Sequence, residues 1–169
     1  RHGDGKIFYK NGDFFEGIYE NDLPTFGYYT AANGDKYAGN YKENLEDGEG
    51  MLVKKDEYLY EGTFVSGDFG GKGKIEWING DKYEGDFKEG YRTGKGKYTF
   101  ESGSVYIGDF VKNILSGQGT FKYSDGSVYK GEMADDYENG FGELKYSNGD
   151  YYKGSFKDGY PHGKGKMVY

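Results

Sequence analysis

The stretch NGDKYEGDF, residues 79–87, opens on a turn dipeptide and continues as alternating aromatic and polar residues. Nearly the same phrase returns as NGDKYAGNY at residues 33–41, SGSVYIGDF at 102–110 and NGDYYKGSF at 148–156. Asn-Gly ahead of a period-two run is a strong short-range hairpin signal. The chain therefore reads as one hairpin written many times.

The repetition has a fixed period. Aromatic-x-Gly begins at Phe15, Tyr37, Tyr60, Tyr83, Tyr106, Tyr129 and Tyr152, in steps of 22 and then 23 five times. Gly-x-Gly keeps the same spacing at Gly3, Gly48, Gly71, Gly94, Gly117, Gly140 and Gly163, with Thr25 in place of the first glycine in the remaining copy. The residue missing from the step of 22 falls between Phe15 and Thr25, around NDLP. A constant period over this length predicts a tandem array. Residues 1–169 are expected to form a single array of about seven repeats plus a partial terminal one. A natural array usually carries capping segments, and here Arg1 stands just before a Gly-x-Gly while Tyr169 ends a first strand. The expectation is a fragment of a longer protein.

In the unit that holds NGDKYEGDF, GKGKIEW is a predicted strand, ING a turn, DKYEGDF a second strand and KEGYRTG a loop. Turn length decides the faces. A two-residue turn would put Trp77 and Tyr83 on opposite sides. A three-residue loop, Ile78-Asn79-Gly80, pairs Trp77 with Asp81 and Ile75 with Tyr83, and all apolar side chains then share one face. Register follows the hydrophobic face, so the odd loop is expected, a type I turn closed by Gly80 in the left-handed region. Gly73 and Gly85 fall on that same ring face, where a β-carbon would prop the large side chains apart.

Composition agrees. Glycine is 32 of 169 residues and aromatics are 20% of the chain, against a glycine average near 7%. With few aliphatic residues, rings must form the core. There is no cysteine, which excludes disulfides and thiolate metal sites. A net charge of −7 with interleaved signs opposes binding to nucleic-acid backbones or anionic lipid by bulk charge. No apolar run reaches the roughly 20 residues of a membrane span.

Two motifs invite sharper readings. GYRTGKGK and GYPHGKGK suggest a phosphate loop, but the glycine spacing is one residue short and no Ser or Thr follows the first lysine. His2 and His162 occupy equivalent positions seven repeats apart, which suits a loop role better than catalysis. An active site is one place, and this pattern is everywhere. The sequence predicts no enzyme, no metal and no cofactor.

The unit YEGDFKEGYRTGKGKYTFESG, residues 83–103, resembles the MORN repeat, a 23-residue motif of Tyr-x-Gly-x-aromatic, then Gly, then Gly-x-Gly. HGDGK from residue 2 and HGKGK from residue 162 are equally typical, and the resemblance covers the whole chain. Its departures are Thr25 for glycine and Met133 for the second aromatic. The resemblance implies an all-β fold, an elongated, twisted, single-layer antiparallel sheet of tandem hairpins. It also implies a non-enzymatic scaffold that binds a protein partner, a peptide or helical segment, along an aromatic groove. Homodimerisation, a cytoplasmic location and a cytoskeletal or membrane-associated assembly belong to the same implication. The alternative is a peripheral phospholipid-binding or targeting module of a larger protein, which the charge disfavours. Choline- and glucan-binding arrays also use Gly-aromatic hairpins, but they rely on Trp cages, and this chain has one Trp.

The groove residues expected on this basis are Tyr37, Tyr60, Tyr83, Tyr106, Tyr129 and Tyr152, with Tyr41, Phe64, Phe87 and Phe110. The opposite face should be wet, yet it carries Phe8, Phe14, Ile18, Met51, Val53 and Leu59, and later Val105, Ile107 and Val128. Apolar clusters on an exposed sheet face suggest a second contact or self-association surface.

Overall fold

The computed structural model describes residues 1–169. The chain folds into fifteen strands, all antiparallel, in one open sheet whose strand order is the sequence order. It divides into two compact units. The first, residues 1–79 with 87–90, holds β1 (Gly3–Phe8), β2 (Phe14–Glu20), β3 (Leu23–Thr30), β4 (Lys36–Lys42), β5 (Leu45–Lys54), β6 (Tyr58–Val65) and β7 (Asp68–Trp77). The second, residues 80–86 with 91–169, holds β9 (Tyr91–Thr99), β10 (Val105–Val111), β11 (Ile114–Lys122), β12 (Val128–Ala134), β13 (Tyr137–Lys145), β14 (Tyr151–Lys157) and β15 (Tyr160–Val168). Residues of β8 (Lys82–Lys88) fall in both.

Hairpins within each unit carry the expected three-residue loop. Between β9 and β10, Tyr98 faces Tyr106. The N–H of Phe100 donates to the Ser104 carbonyl, and the N–H of Gly103 donates back to the Phe100 carbonyl, each at 2.9 Å. The loop is thus 101–103, closed by Gly103 at φ +87°. The β5–β6 hairpin, which lacks Asn-Gly, keeps the loop length because Lys54 still pairs with Tyr58, with Asp56 taking the left-handed conformation at φ +60°.

The other connection corrects the expected loop at KEGYRTG and its equivalents. Most of that segment is strand. Each repeat is joined to the next by a two-residue turn, such as Lys112-Asn113 between the paired Val111 and Ile114, or Asp135-Asp136 between Ala134 and Tyr137. Both residues of these turns have positive φ (46° and 75°, 52° and 69°), the type I′ geometry that matches strand twist. The glycine that looked like a loop marker is a bulge inside the following strand. Gly108 pairs with Gly119 and then Phe110 with Leu115, so residues 116–118 oppose Asp109 alone, with Gly117 at φ +77°. His162 accordingly lies on β15 rather than in a loop.

The shorter first step is explained at the same place. Ile18 pairs with Phe26 and Tyr19 with Pro24, leaving only Thr25 unpaired. This bulge is one residue smaller than the others and needs no left-handed residue, so threonine is tolerated.

Successive hairpins are stitched at both edges of the sheet. At one edge, the carboxylate or hydroxyl after each Asn-Gly-type loop accepts a backbone N–H from the next loop. Asp13 Oδ1 accepts from Ala32 at 2.9 Å, Asp35 Oδ1 from Lys55 at 2.9 Å, Asp81 Oδ1 from Glu101 at 2.8 Å and Ser104 Oγ from Ser124 at 3.1 Å. At the other edge, a type I′ turn donates to a carbonyl of the preceding repeat, as Gly67 does to Glu46 at 2.8 Å and Gly159 to Glu138 at 3.0 Å.

The core is one motif repeated. Between the strands joined by each type I′ turn two glycines face each other, Gly39 with Gly50, Gly62 with Gly73, Gly108 with Gly119 and Gly131 with Gly142. The tyrosine two residues before the first glycine lays its ring over this bare patch, and its hydroxyl donates to the carbonyl three residues on. Tyr37 donates to Asn40, Tyr60 to Thr63, Tyr106 to Asp109 and Tyr129 to Glu132 at 2.8, 2.8, 3.1 and 2.7 Å. Edge-to-face contacts then join neighbours, Tyr37 to Phe64 at 5.1 Å and Tyr129 to Phe156 at 4.9 Å between ring centroids. Phe15 has no hydroxyl, and there Thr25 Oγ1 donates to the equivalent carbonyl, that of Ile18, at 3.3 Å. Two departures from the repeat pattern compensate each other.

Candidate functional site

The ring face is where the expected groove lies, and the structure separates its floor from its surface. Tyr37, Tyr60, Tyr83, Tyr106, Tyr129, Tyr152, Phe64, Phe87 and Phe110 are all at most 7% exposed. Tyr41 alone of the predicted set is half-buried. These rings are the floor. They cover glycine backbone and are sealed by each other's edges, so they offer a partner almost no area.

The open area comes from the first strand of each hairpin. In the second unit Tyr98, Phe100, Phe121, Tyr123 and Tyr146 are half-buried. Their rings stand close together, Tyr98 to Phe100 at 4.6 Å, Phe100 to Phe121 at 5.5 Å and Phe121 to Tyr123 at 4.6 Å. Tyr98 is fixed by donating to Asp81 at 2.8 Å. Burial first, and then this bond to a carboxylate, push its hydroxyl up to about 12. Tyr29 plays the same part in the first unit, donating to Asp13, and is also raised to about 12, chiefly by that bond. In the next hairpin Leu52 stands at the place of Tyr29, and Lys54, at the place of Phe100, interrupts the rings and pairs its ammonium with Asp35 Oδ2 at 2.6 Å. That bond is the main reason Asp35 falls to about 2.

A second set of positions on this face was hidden by reading KEGYRTG as a loop. The residue that pairs across the type I′ turn with the second aromatic lies on the ring face. It is Pro24 opposite Tyr19, Glu46 opposite Tyr41, Phe69 opposite Phe64, Leu115 opposite Phe110, Glu138 opposite Met133 and Pro161 opposite Phe156. Phe69 stacks on Tyr60 at 3.8 Å and 8°. Arg92, at the same offset from its Gly-x-Gly, sets its guanidinium 5.0 Å from the Tyr98 centroid and 5.7 Å from that of Tyr83. Glu138 is 9% exposed, and burial raises its carboxyl above the ordinary range. The signal in the sequence was a position of fixed spacing whose chemistry changes from repeat to repeat, while its neighbours do not.

On the opposite face the structure gathers the apolar residues of the first unit. Phe8 pairs with Phe14, ring centroids 4.7 Å apart, and Val53 pairs with Leu59. Phe26 and Tyr28 join them edge to face at 5.6 Å. Phe8, Ile18, Met51, Val53 and Leu59 are exposed, Phe8 to 79%. Ile107 is exposed in the second unit, while Val105 and Val128 are half-buried there.

No helix of the chain is long and apolar enough to cross a membrane. The model of the MORN repeat matches residues 37–56, 60–82, 83–105, 106–128, 129–151 and 152–169, so each match from residue 37 onward begins on the tyrosine of Tyr-x-Gly or its equivalent. No curated protein matches the chain. Among solved structures, the TCP domain of Drosophila melanogaster SAS-4, in complex with a proline-rich motif of Ana2, aligns over 98% of this chain and 83% of its own, with 13% identity and a TM-score of 0.53. The wild-type TCP10 domain of Danio rerio CPAP aligns over 99% and 88%, with 15% identity and a TM-score of 0.36. The likeness to the Drosophila domain is one of fold. Six consecutive family matches, together with the Tyr-over-Gly-pair core beneath each, make this chain a member of the MORN repeat family.

Proposed function

We propose that the chain is a non-enzymatic scaffold that binds a protein segment across its ring face, within a cytoskeletal or membrane-associated assembly. The observation that carries this reading is the open aromatic surface of the second unit, Tyr98, Phe100, Phe121, Tyr123 and Tyr146, resting on a rigid floor of buried rings. Preformed aromatic grooves suit extended, proline-rich segments, which lose little entropy on docking. A proline-rich motif bound to the Drosophila domain of similar fold supports the same class of occupant. Binding along a repeated surface needs no catalytic centre.

The test is affinity capture with the chain as bait, repeated with Phe100→Ser and with Tyr123→Ser after each is shown to keep its β-sheet circular dichroism. A protein held by the parent and released by both variants supports the reading. Capture that is indifferent to both overturns it.

A second reading concerns the opposite face, where Phe8 stands exposed beside its half-buried partner Phe14. We propose it as a contact surface for self-association. Phe8→Ser with Phe14→Ser should lower the mass in solution measured by light scattering, and an unchanged mass at the same concentration would sink the proposal.

A further inference from the structure

One cavity in the first unit differs from the rest of the ring face. It is a half-open space of about 270 Å³ whose lining includes Tyr9, Phe15, Tyr19, Tyr29, Tyr41 and Glu46. Sites for drug-sized molecules run to roughly 300–1,000 Å³, so this one has room for a single side-chain head. Five of its walls are aromatic. Phe15 meets Tyr19 and Tyr41 edge-on at 5.6 and 5.4 Å, and Tyr9, at 44% exposure, leaves the mouth open.

Two features give the cavity a preference for positive charge. Aromatic faces are negative and attract cations. Glu46, the cross-strand partner of Tyr41, brings a carboxylate into the wall and makes no ion pair. Its charge is felt by the hydroxyls of both Tyr29 and Tyr41. The chain also places a cation of its own at one wall. The guanidinium of Arg1 lies 5.6 Å from the Tyr19 ring centroid, and the Arg1 carbonyl is held by the Asp22 N–H at 2.9 Å. The charged groups facing the space are therefore the Arg1 guanidinium, Asp22, which is paired with the Arg1 α-ammonium, and Glu46, which is left as the carboxylate without a cation.

We propose that this cavity receives the guanidinium or ammonium head of an arginine or lysine side chain carried by a protein partner, with Glu46 as counter-ion and Tyr9, Tyr29 and Tyr41 as walls. The source of the cation rests on the scaffold reading above. The site itself is tested with small molecules, so it can fail while segment binding elsewhere on the ring face stands, and the reverse.

The experiment is an NMR titration of the chain with N-acetylarginine amide, N-acetyllysine amide, N-acetylmethionine amide and choline, at fixed ionic strength. The arginine or lysine probe should shift Tyr9, Tyr29, Tyr41 and Glu46 saturably, and bind at least tenfold more tightly than the neutral methionine probe. Glu46→Gln should weaken that binding five- to tenfold while the remaining resonances keep their positions. Equal binding of the methionine probe, indifference to Glu46→Gln, or no saturable shift would overturn the proposal. Tighter binding of choline than of either amino-acid probe would overturn the assignment to a protein side chain.

Discussion

The ring of Tyr60 lies directly over the backbone of Gly73. A β-carbon on Gly73 would come within 2.5 Å of the tyrosine oxygen and 2.6 Å of its Cε2, and Tyr60 is fully buried. The ring cannot retreat, because its hydroxyl donates to the Thr63 carbonyl and Phe69 stacks on its outer side. Gly73→Ala should therefore destabilise the protein by about 1–3 kcal/mol through overpacking, read as a lower midpoint in urea. A midpoint equal to the parent's would mean the Gly pair is not what seats the ring.

The compensation between Phe15 and Thr25 can be measured as a coupling. Thr25 Oγ1 serves the Ile18 carbonyl that a tyrosine hydroxyl would otherwise reach. Thr25→Val should cost about 1 kcal/mol in the parent, the ordinary worth of a hydrogen bond. In a Phe15→Tyr background the same change should cost clearly less, since the new hydroxyl takes over. Equal costs in the two backgrounds would show that the threonine acts otherwise.

Alkaline pH should unfold the chain within a defined window. Burial raises the hydroxyls of Tyr106 and Tyr129 from 10.0 to about 12 in the folded state. A raised folded pKa means stability that is complete below pH 10 and is lost as pH climbs toward 12. The urea midpoint should stay flat up to about pH 10 and then fall. Absorbance at 295 nm should show buried tyrosines ionising together with unfolding. Smooth ionisation of all tyrosines near pH 10 with the fold intact would contradict the buried floor.

Glu138 should be a net cost at neutral pH. Its carboxyl is buried and raised by desolvation, so the folded state favours the protonated form. This contribution is best below the unfolded value of 4.5 and worsens as pH rises through the folded value. Glu138→Gln should raise Tm at pH 7, and the gain should vanish under acid conditions, as followed by thermal melts across pH. A lower Tm at pH 7 would mean the carboxylate has a stabilising partner.

Much of this was legible in the sequence. NGDKYEGDF and its copies contain the hairpin, the three-residue loop and the shared ring face, because parity forces Ile75 and Tyr83 to one side only if the loop is odd. The glycines of Tyr-x-Gly and Gly-x-Gly could be assigned to close ring approach for the same reason. What the sequence hid was depth. A tyrosine whose hydroxyl bonds its own strand at the third residue on, as Tyr106 does to Asp109, looks no different in sequence from one that faces solvent. The extended bulge was hidden too, since a left-handed glycine such as Gly117 punctuates a strand and a loop alike. With it went the variable row of Pro24, Glu46, Phe69, Leu115 and Glu138, whose direction depends on knowing that its segment is paired.

Where a partner touches the ring face is the most direct test of the proposed scaffold. A titration of the isotopically labelled chain with a proline-rich dodecapeptide, followed by amide NMR shifts, reads this residue by residue. The predicted result is saturable shifts at Phe100, Phe121, Tyr123 and Tyr146 on the ring face, with Lys97, Lys130 and Lys153 on the other face unmoved. Shifts confined to those lysines, or none at millimolar peptide, would contradict it.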